Sequence, residues 1–132
     1  MKISIIGISQ IIDSVIDKIV NHSDDINVYS DKRHFDFENK YHNKKNIEII
    51  TNQALEDHIE NISNSSDIVF LLSESDPFNS FSYQKIINQE PKKKVLMLIN
   101  DDEIYNMYKD KDYPVMSKLE LEQNDLSYLI KD

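Results

Sequence analysis

A single glycine lies where the first apolar strand of the chain meets the first helix. The segment reads Ile5-Ile6-Gly7-Ile8-Ser9-Gln10-Ile11-Ile12. A turn of this kind presents backbone N–H groups at a helix N-terminus, where they can bind a phosphate group. The spacing G-x-G-x-x-G of dinucleotide-binding turns places Gly7, Ser9 and Ile12 at its three positions. Gly7 and Ser9 are therefore candidate ligand-binding residues, although isoleucine is bulky for the third position.

An acidic residue follows the second predicted strand, Ile26 to Ser30. Asp31 comes roughly twenty residues after the glycine turn, the spacing at which a carboxylate accepts hydrogen bonds from a ribose. Lys32 is next to it in the chain. The alternative interpretation is a solvated turn aspartate beside two basic residues. Asp31 and Lys32 are the second pair of candidates.

A polar segment follows the most apolar strand of the chain. The strand is predicted over Asp67 to Leu72, and the segment reads Ser73-Glu74-Ser75-Asp76-Pro77. An aspartate before a proline is typical of a helix start, so Asp76 is predicted to cap the next helix. Ser73 and Glu74 are predicted to line a ligand crevice opposite the glycine turn.

No arrangement of residues in the sequence indicates catalysis. The four histidines lack metal-binding spacing, and the chain has no cysteine, which excludes thiol chemistry and cysteine-bound metals. A G-x-S-x-G turn and a Walker loop are also absent from the sequence. We therefore expect a protein that is not an enzyme and has neither catalytic residues nor a metal site.

Charge and hydropathy limit the partners. The net charge of −9 argues against nucleic acid, because phosphate backbones need basic surfaces. No apolar run approaches the roughly 18 residues of a membrane helix, so direct membrane insertion is not expected. The start of the chain does not have the form of a secretory signal. We expect a cytoplasmic protein.

Apolar runs alternate with helical patterns along the whole chain, which is typical of a βαβ fold. A helix is predicted at 54–62, a short one at 35–41 and a last one at 119–130. The six predicted strands are 2–6, 26–30, 47–50, 67–72, 94–99 and 113–116. They predict an α/β fold with one doubly wound parallel sheet, Rossmann-like, in the order 3-2-1-4-5-6, and a single domain over residues 1–132. Ligands bind such sheets at the carboxyl ends of strands one and four.

The stretch from Ala54 to Asn79 carries a family resemblance. It has a helix, an apolar strand opened by Asp67, a small polar residue, and then the acid Asp76 with Asn79 shortly after. This pattern, together with the acid-ended second strand, resembles the N-terminal RCK domain, also called TrkA-N or KTN. The family's glycine fingerprint is reduced here to Gly7, and its glycine-aspartate pair after strand three is replaced by Thr51-Asn52-Gln53.

The resemblance implies a regulatory domain. RCK domains are cytoplasmic Rossmann domains that control potassium channels and transporters, and they bind NAD(H) or an adenine nucleotide. Asp76 and Asn79 would join the ligand-binding residues, and a homodimer would act in trans on a membrane potassium channel or transporter subunit. Two alternatives remain open. One is a scaffold of the same fold that has lost nucleotide binding and acts through protein contacts. The other is a small oxidoreductase, for which the chain lacks a substrate domain.

Overall fold

The computed structural model describes residues 1–130, and its centre is one parallel β-sheet. Within those residues the sheet has six strands in the order β3-β2-β1-β4-β5-β6. Every strand pair in it is parallel. The strands are β1 (Lys2–Ile6), β2 (Asp25–Ser30), β3 (Ile47–Thr51), β4 (Ile68–Leu71), β5 (Lys94–Leu98) and β6 (Val115–Met116). The predicted Rossmann-like, doubly wound fold class is confirmed.

Helices cover both faces of this sheet. They are α1 (Ile12–Ile19), α2 (Phe35–Tyr41), α3 (Ile59–Asn64), α4 (Asp76–Gln89), α5 (Asp102–Asp110), α6 (Lys118–Gln123) and α7 (Ser127–Ile130). Apolar residues of α1, α2, α6 and α7 pack with one face of the sheet, and those of α3 and α4 pack with the other. The two faces form separate apolar clusters, as parallel strands buried on both sides require.

The strand pattern explains why the core divides in this way. Successive side chains of a strand point to opposite faces, so Ile3 and Ile5 of β1 join the α1 side, whereas Ile6 joins the α4 side. All four residues of β4 are buried. The unbroken apolar run of β4 therefore fits its central place beside β1.

Three predicted helix features are wrong in detail. The helix predicted over 54–62 is a 3₁₀ turn, Leu55–Asp57, followed by the separate α3. The last predicted helix, 119–130, is two helices, because Asn124 has an extended ψ of 147°. Asp76 is not the cap of α4: Ser75 is, and its hydroxyl accepts a hydrogen bond from the backbone N–H of Phe78. The carboxylate of Asp76 contacts the loop after β5 instead.

Candidate functional site

A crevice of about 450 Å³ lies at the carboxyl ends of β1, β2 and β4. This is the switch point of the sheet, where the chain turns to opposite faces after β1 and after β4, and the volume is in the range of small-molecule sites. Its lining residues are Gly7, Ile8, Ser30, Asp31, Lys32, His34, Leu55, Ser73, Glu74, Ser75 and Phe78. Three of these are apolar and could pack against a flat base, namely Ile8, Leu55 and Phe78.

Gly7 has a structural reason to be glycine that needs no ligand. Its φ is +97°, and a Cβ placed on it would lie 2.5 Å from the backbone nitrogen of Ser73. The backbone after β1 therefore passes directly against the backbone after β4. Its own N–H donates to the carbonyl of Tyr29 at 2.8 Å. Gly7 closes the floor of the crevice, and only glycine tolerates both the backbone angle and the close approach.

The carboxylate of Asp31 lies at the rim of the crevice and is not used by the fold. Asp31 is exposed and, within residues 1–130, has no hydrogen-bond or ion-pair partner. Lys32 is exposed beside it, and His34 is half-buried in the same wall. An unpaired carboxylate here can accept hydrogen bonds from the hydroxyls of a sugar without losing an internal contact.

Glu74 fills the position at which a phosphate would meet the glycine turn. Its Oε1 accepts a hydrogen bond from the backbone N–H of Gln10, with an N···O distance of 3.1 Å. Its Oε2 lies 3.2 Å from Nζ of Lys118, which starts α6. A carboxylate of the chain itself is therefore bound by a backbone donor just before helix α1, where the helix dipole favours negative charge.

Asp76 and Asn79 hold the walls of the crevice rather than line it. The Asp76 carboxylate accepts from the backbone N–H groups of Asn100 and Asp101, both at 2.8 Å. Asn79 is fully buried, and its amide accepts from Ser73 N–H at 3.1 Å and donates to the carbonyls of Ser73 and Leu98. These bonds fix the loop after β4 against the end of β5. Asp76 and Asn79 therefore position Ser73 and Glu74.

Ser9 lies on the far side of the glycine turn, away from the crevice. It is buried beside a smaller cavity of about 270 Å³ between α1 and α2, and its hydroxyl has no hydrogen-bond partner among the described residues.

The negative charge of Asp13, in the first turn of α1, is partly balanced by residues of α2. Asp13 accepts a hydrogen bond from Tyr41 at 2.7 Å and pairs with Lys40 at 3.2 Å. Burial raises the pKa of Tyr41, and the bond to Asp13 raises it further.

The eight predicted site residues thus divide into two groups. The residues that the structure brings together at the crevice are Gly7, Asp31, Lys32, Ser73 and Glu74. The crevice lining does not include the other three, Ser9, Asp76 and Asn79. The loop after β3 contributes Leu55 to the lining.

The arrangement fits one part of a dinucleotide and not the other. Asp31 and the three apolar side chains suit a ribose and its base. The diphosphate position does not fit, because the Glu74 carboxylate takes the N–H of Gln10 and Ile12 is buried where a third glycine would allow close packing. The site as built therefore suits a nucleoside better than a dinucleotide.

A larger cavity of about 650 Å³ lies at the opposite end of the sheet, between the starts of β4 and β5. It contains the basic cluster Lys92-Lys93-Lys94. Lys93 already donates to the carbonyl of Ser66 and pairs with Glu90 at 2.9 Å. This cavity is far from the switch point, and its best-buried cation serves the fold.

Residues 1–130 contain no group of three or more histidine, aspartate or glutamate side chains placed to hold a metal ion. No helix in the same range has both the length and the apolar character needed to cross a membrane. Comparison of the sequence with protein-family models and with curated proteins found no match.

Sequence reasoning missed several residues of the site. Lys118 follows β6, and the carboxyl ends of parallel strands meet at one edge of the sheet. This rule would have placed Lys118 on the same edge as the crevice. His34 and Phe78 follow β2 and β4 in the same way. No sequence signal shows that Glu74 would turn back to Gln10, because that contact depends on the path of the loop that Asn79 fixes.

Proposed function

We propose that this chain is a regulatory ligand-binding module whose crevice takes an adenine nucleoside or nucleotide. The observation that carries the proposal is the unpaired carboxylate of Asp31 at the rim of a switch-point crevice. The sugar hydroxyls would donate to Asp31, and the base would lie against Leu55 and Phe78. Adenine is the base that the resemblance to the RCK domain implies.

The proposed role is regulatory and not catalytic. The crevice presents a carboxylate, a lysine and a histidine at its rim, but no described residue there has the partner that would activate it as a nucleophile. By its resemblance to the RCK domain, the module would act in the cytoplasm as a homodimer. It would pass its occupancy in trans to a membrane potassium channel or transporter subunit through a shift between two arrangements.

A specific observation favours a second candidate function. The Glu74 carboxylate accepts the hydrogen bond that the glycine turn offers through the N–H of Gln10, and Lys118 balances the charge of Glu74. A Rossmann scaffold that has lost nucleotide binding and acts only through protein contacts would have such a turn. The two candidates differ in one measurable property, since a scaffold binds no nucleoside.

Isothermal titration tests the proposal directly. The protein is titrated with adenosine, NADH, NAD, ATP and ADP, and the same ligands are titrated into Asp31→Ala. We expect saturable heat with at least one ligand. Absence of heat with every ligand, in a sample that unfolds cooperatively in urea, would exclude the binding module and leave the scaffold.

A further inference from the structure

Glu74 has the geometry of an internal substitute for a ligand phosphate. One carboxylate oxygen accepts a hydrogen bond from the N–H of Gln10, and the other forms an ion pair with Lys118. A backbone donor and a cation therefore bind the same carboxylate. These are the two kinds of donor that bind phosphate in proteins. We propose that Glu74 makes the crevice select an uncharged nucleoside over its phosphorylated forms. This inference rests on the proposed function.

Charge explains why a phosphate would not simply join Glu74. A phosphate monoester carries a charge of about −1.5 to −2 at neutral pH. It would meet a carboxylate within the same wall of the crevice, and the nearby cation Lys118 is already shared with that carboxylate. Asp31 adds a second negative charge at the rim. Lys32 offsets the charge of Asp31 at the rim, but Glu74 already occupies the two donors beside the glycine turn. An added phosphate would have to compete with Glu74 for them, whereas a neutral sugar and base need neither donor.

Exposure explains why Glu74 can be tested without harming the fold. The side chains of Glu74 and Lys118 are 50% and 39% exposed, and ion pairs so exposed contribute little to stability. Replacing Glu74 by glutamine keeps its size and removes its charge. The same change removes the ion pair with Lys118 and so frees this ammonium to bind a phosphate, while the amide oxygen can still accept the hydrogen bond from the N–H of Gln10.

The test compares adenosine with AMP on the intact chain by isothermal titration. Wild-type protein is expected to bind adenosine at least about tenfold more tightly than AMP, since the phosphate of AMP would meet the negatively charged carboxylate of Glu74. Glu74→Gln is expected to raise the affinity for AMP by about tenfold and to leave that for adenosine within about twofold. Glu48→Gln, an equal charge change at an exposed position of β3, is expected to change neither affinity.

Lys118 provides a second variant. In the Glu74→Gln background, Lys118→Met is expected to remove the gain in AMP affinity, because the freed ammonium is the added phosphate ligand. Equal binding of adenosine and AMP by the wild type, or an unchanged AMP affinity in Glu74→Gln, would overturn the role of Glu74 while adenosine binding upholds the proposed function. Absence of binding by both ligands to both proteins would overturn the two proposals together.

Discussion

At the scale of single residues, the glycine turn serves the fold before it serves any ligand. Gly7 allows two loops to cross at the switch point, and Glu74 takes the donor that such a turn offers to a phosphate. The sequence predicted the turn from Gly7 alone and placed Asp31, Ser73 and Glu74 around one crevice. It could not predict that Ser9 faces the α1–α2 side, because the direction of a turn side chain is decided by tertiary packing.

Gly7→Ala tests the structural role of the turn. The added Cβ would meet the backbone of Ser73, and the φ of +97° strains any residue with a side chain. We expect the free energy of unfolding to fall by at least about 2 kcal/mol, measured by urea denaturation. Ser9→Ala is the control. It removes a buried hydroxyl without a partner, so stability should stay the same or rise, whereas a loss as large as that of Gly7→Ala would contradict this account.

At the scale of elements, apolar spacing predicted most strands closely but did not reveal the helix breaks. Leu55, Ile59 and Ile62 are all buried, and a 3₁₀ turn followed by α3 keeps them on one side as well as a single helix would. The break between α6 and α7 has a signal. Leu121 and Leu126 are both buried but five residues apart, which a continuous helix does not place on one face.

The link between α5 and α6 gives a pH-dependent prediction. Tyr105 donates its hydroxyl hydrogen to Glu120, which also completes the cap of α6 with Ser117. Burial and the bond to Glu120 raise the pKa of Tyr105 to about 12. Although burial opposes the shift, the hydrogen bonds from Tyr105 and Ser117 lower the pKa of Glu120.

Tyr105→Phe is therefore expected to lower the free energy of unfolding by about 1 kcal/mol at neutral pH. A lowered carboxyl pKa stabilises the fold above the unfolded value of 4.5, and this contribution is lost as the pH falls through the folded value. The raised pKa of Tyr105 stabilises the fold at pH values below 10.0, the unfolded pKa, and this contribution is lost as the pH rises toward the folded pKa of about 12. The wild-type and variant curves, measured by urea denaturation, should converge at both extremes, and a difference independent of pH would contradict the link.

At the scale of the whole molecule, the proposed function requires a second copy. Phe81 of α4 and Met107 of α5 are large apolar side chains that are about half exposed. A hydrogen bond from the Tyr108 hydroxyl to the Ser80 hydroxyl joins the two helices, so we expect both side chains to belong to one contact surface. We expect sedimentation equilibrium to give twice the chain mass of 15.5 kDa. Replacing both Phe81 and Met107 by serine should give monomer, whereas Leu119→Ser, at another exposed position, should not. A monomer at all concentrations would contradict the pairing.

The central claim is that the crevice binds a nucleoside through Asp31, and titration of adenosine into wild type and Asp31→Ala tests it most directly. We expect saturable binding that Asp31→Ala weakens by about 1–3 kcal/mol, the contribution of hydrogen bonds to a charged group. Asp110→Ala, an equal change at the exposed end of α5, should leave the affinity unchanged. Equal affinities in wild type and Asp31→Ala, or no binding by a folded wild type, would contradict the claim.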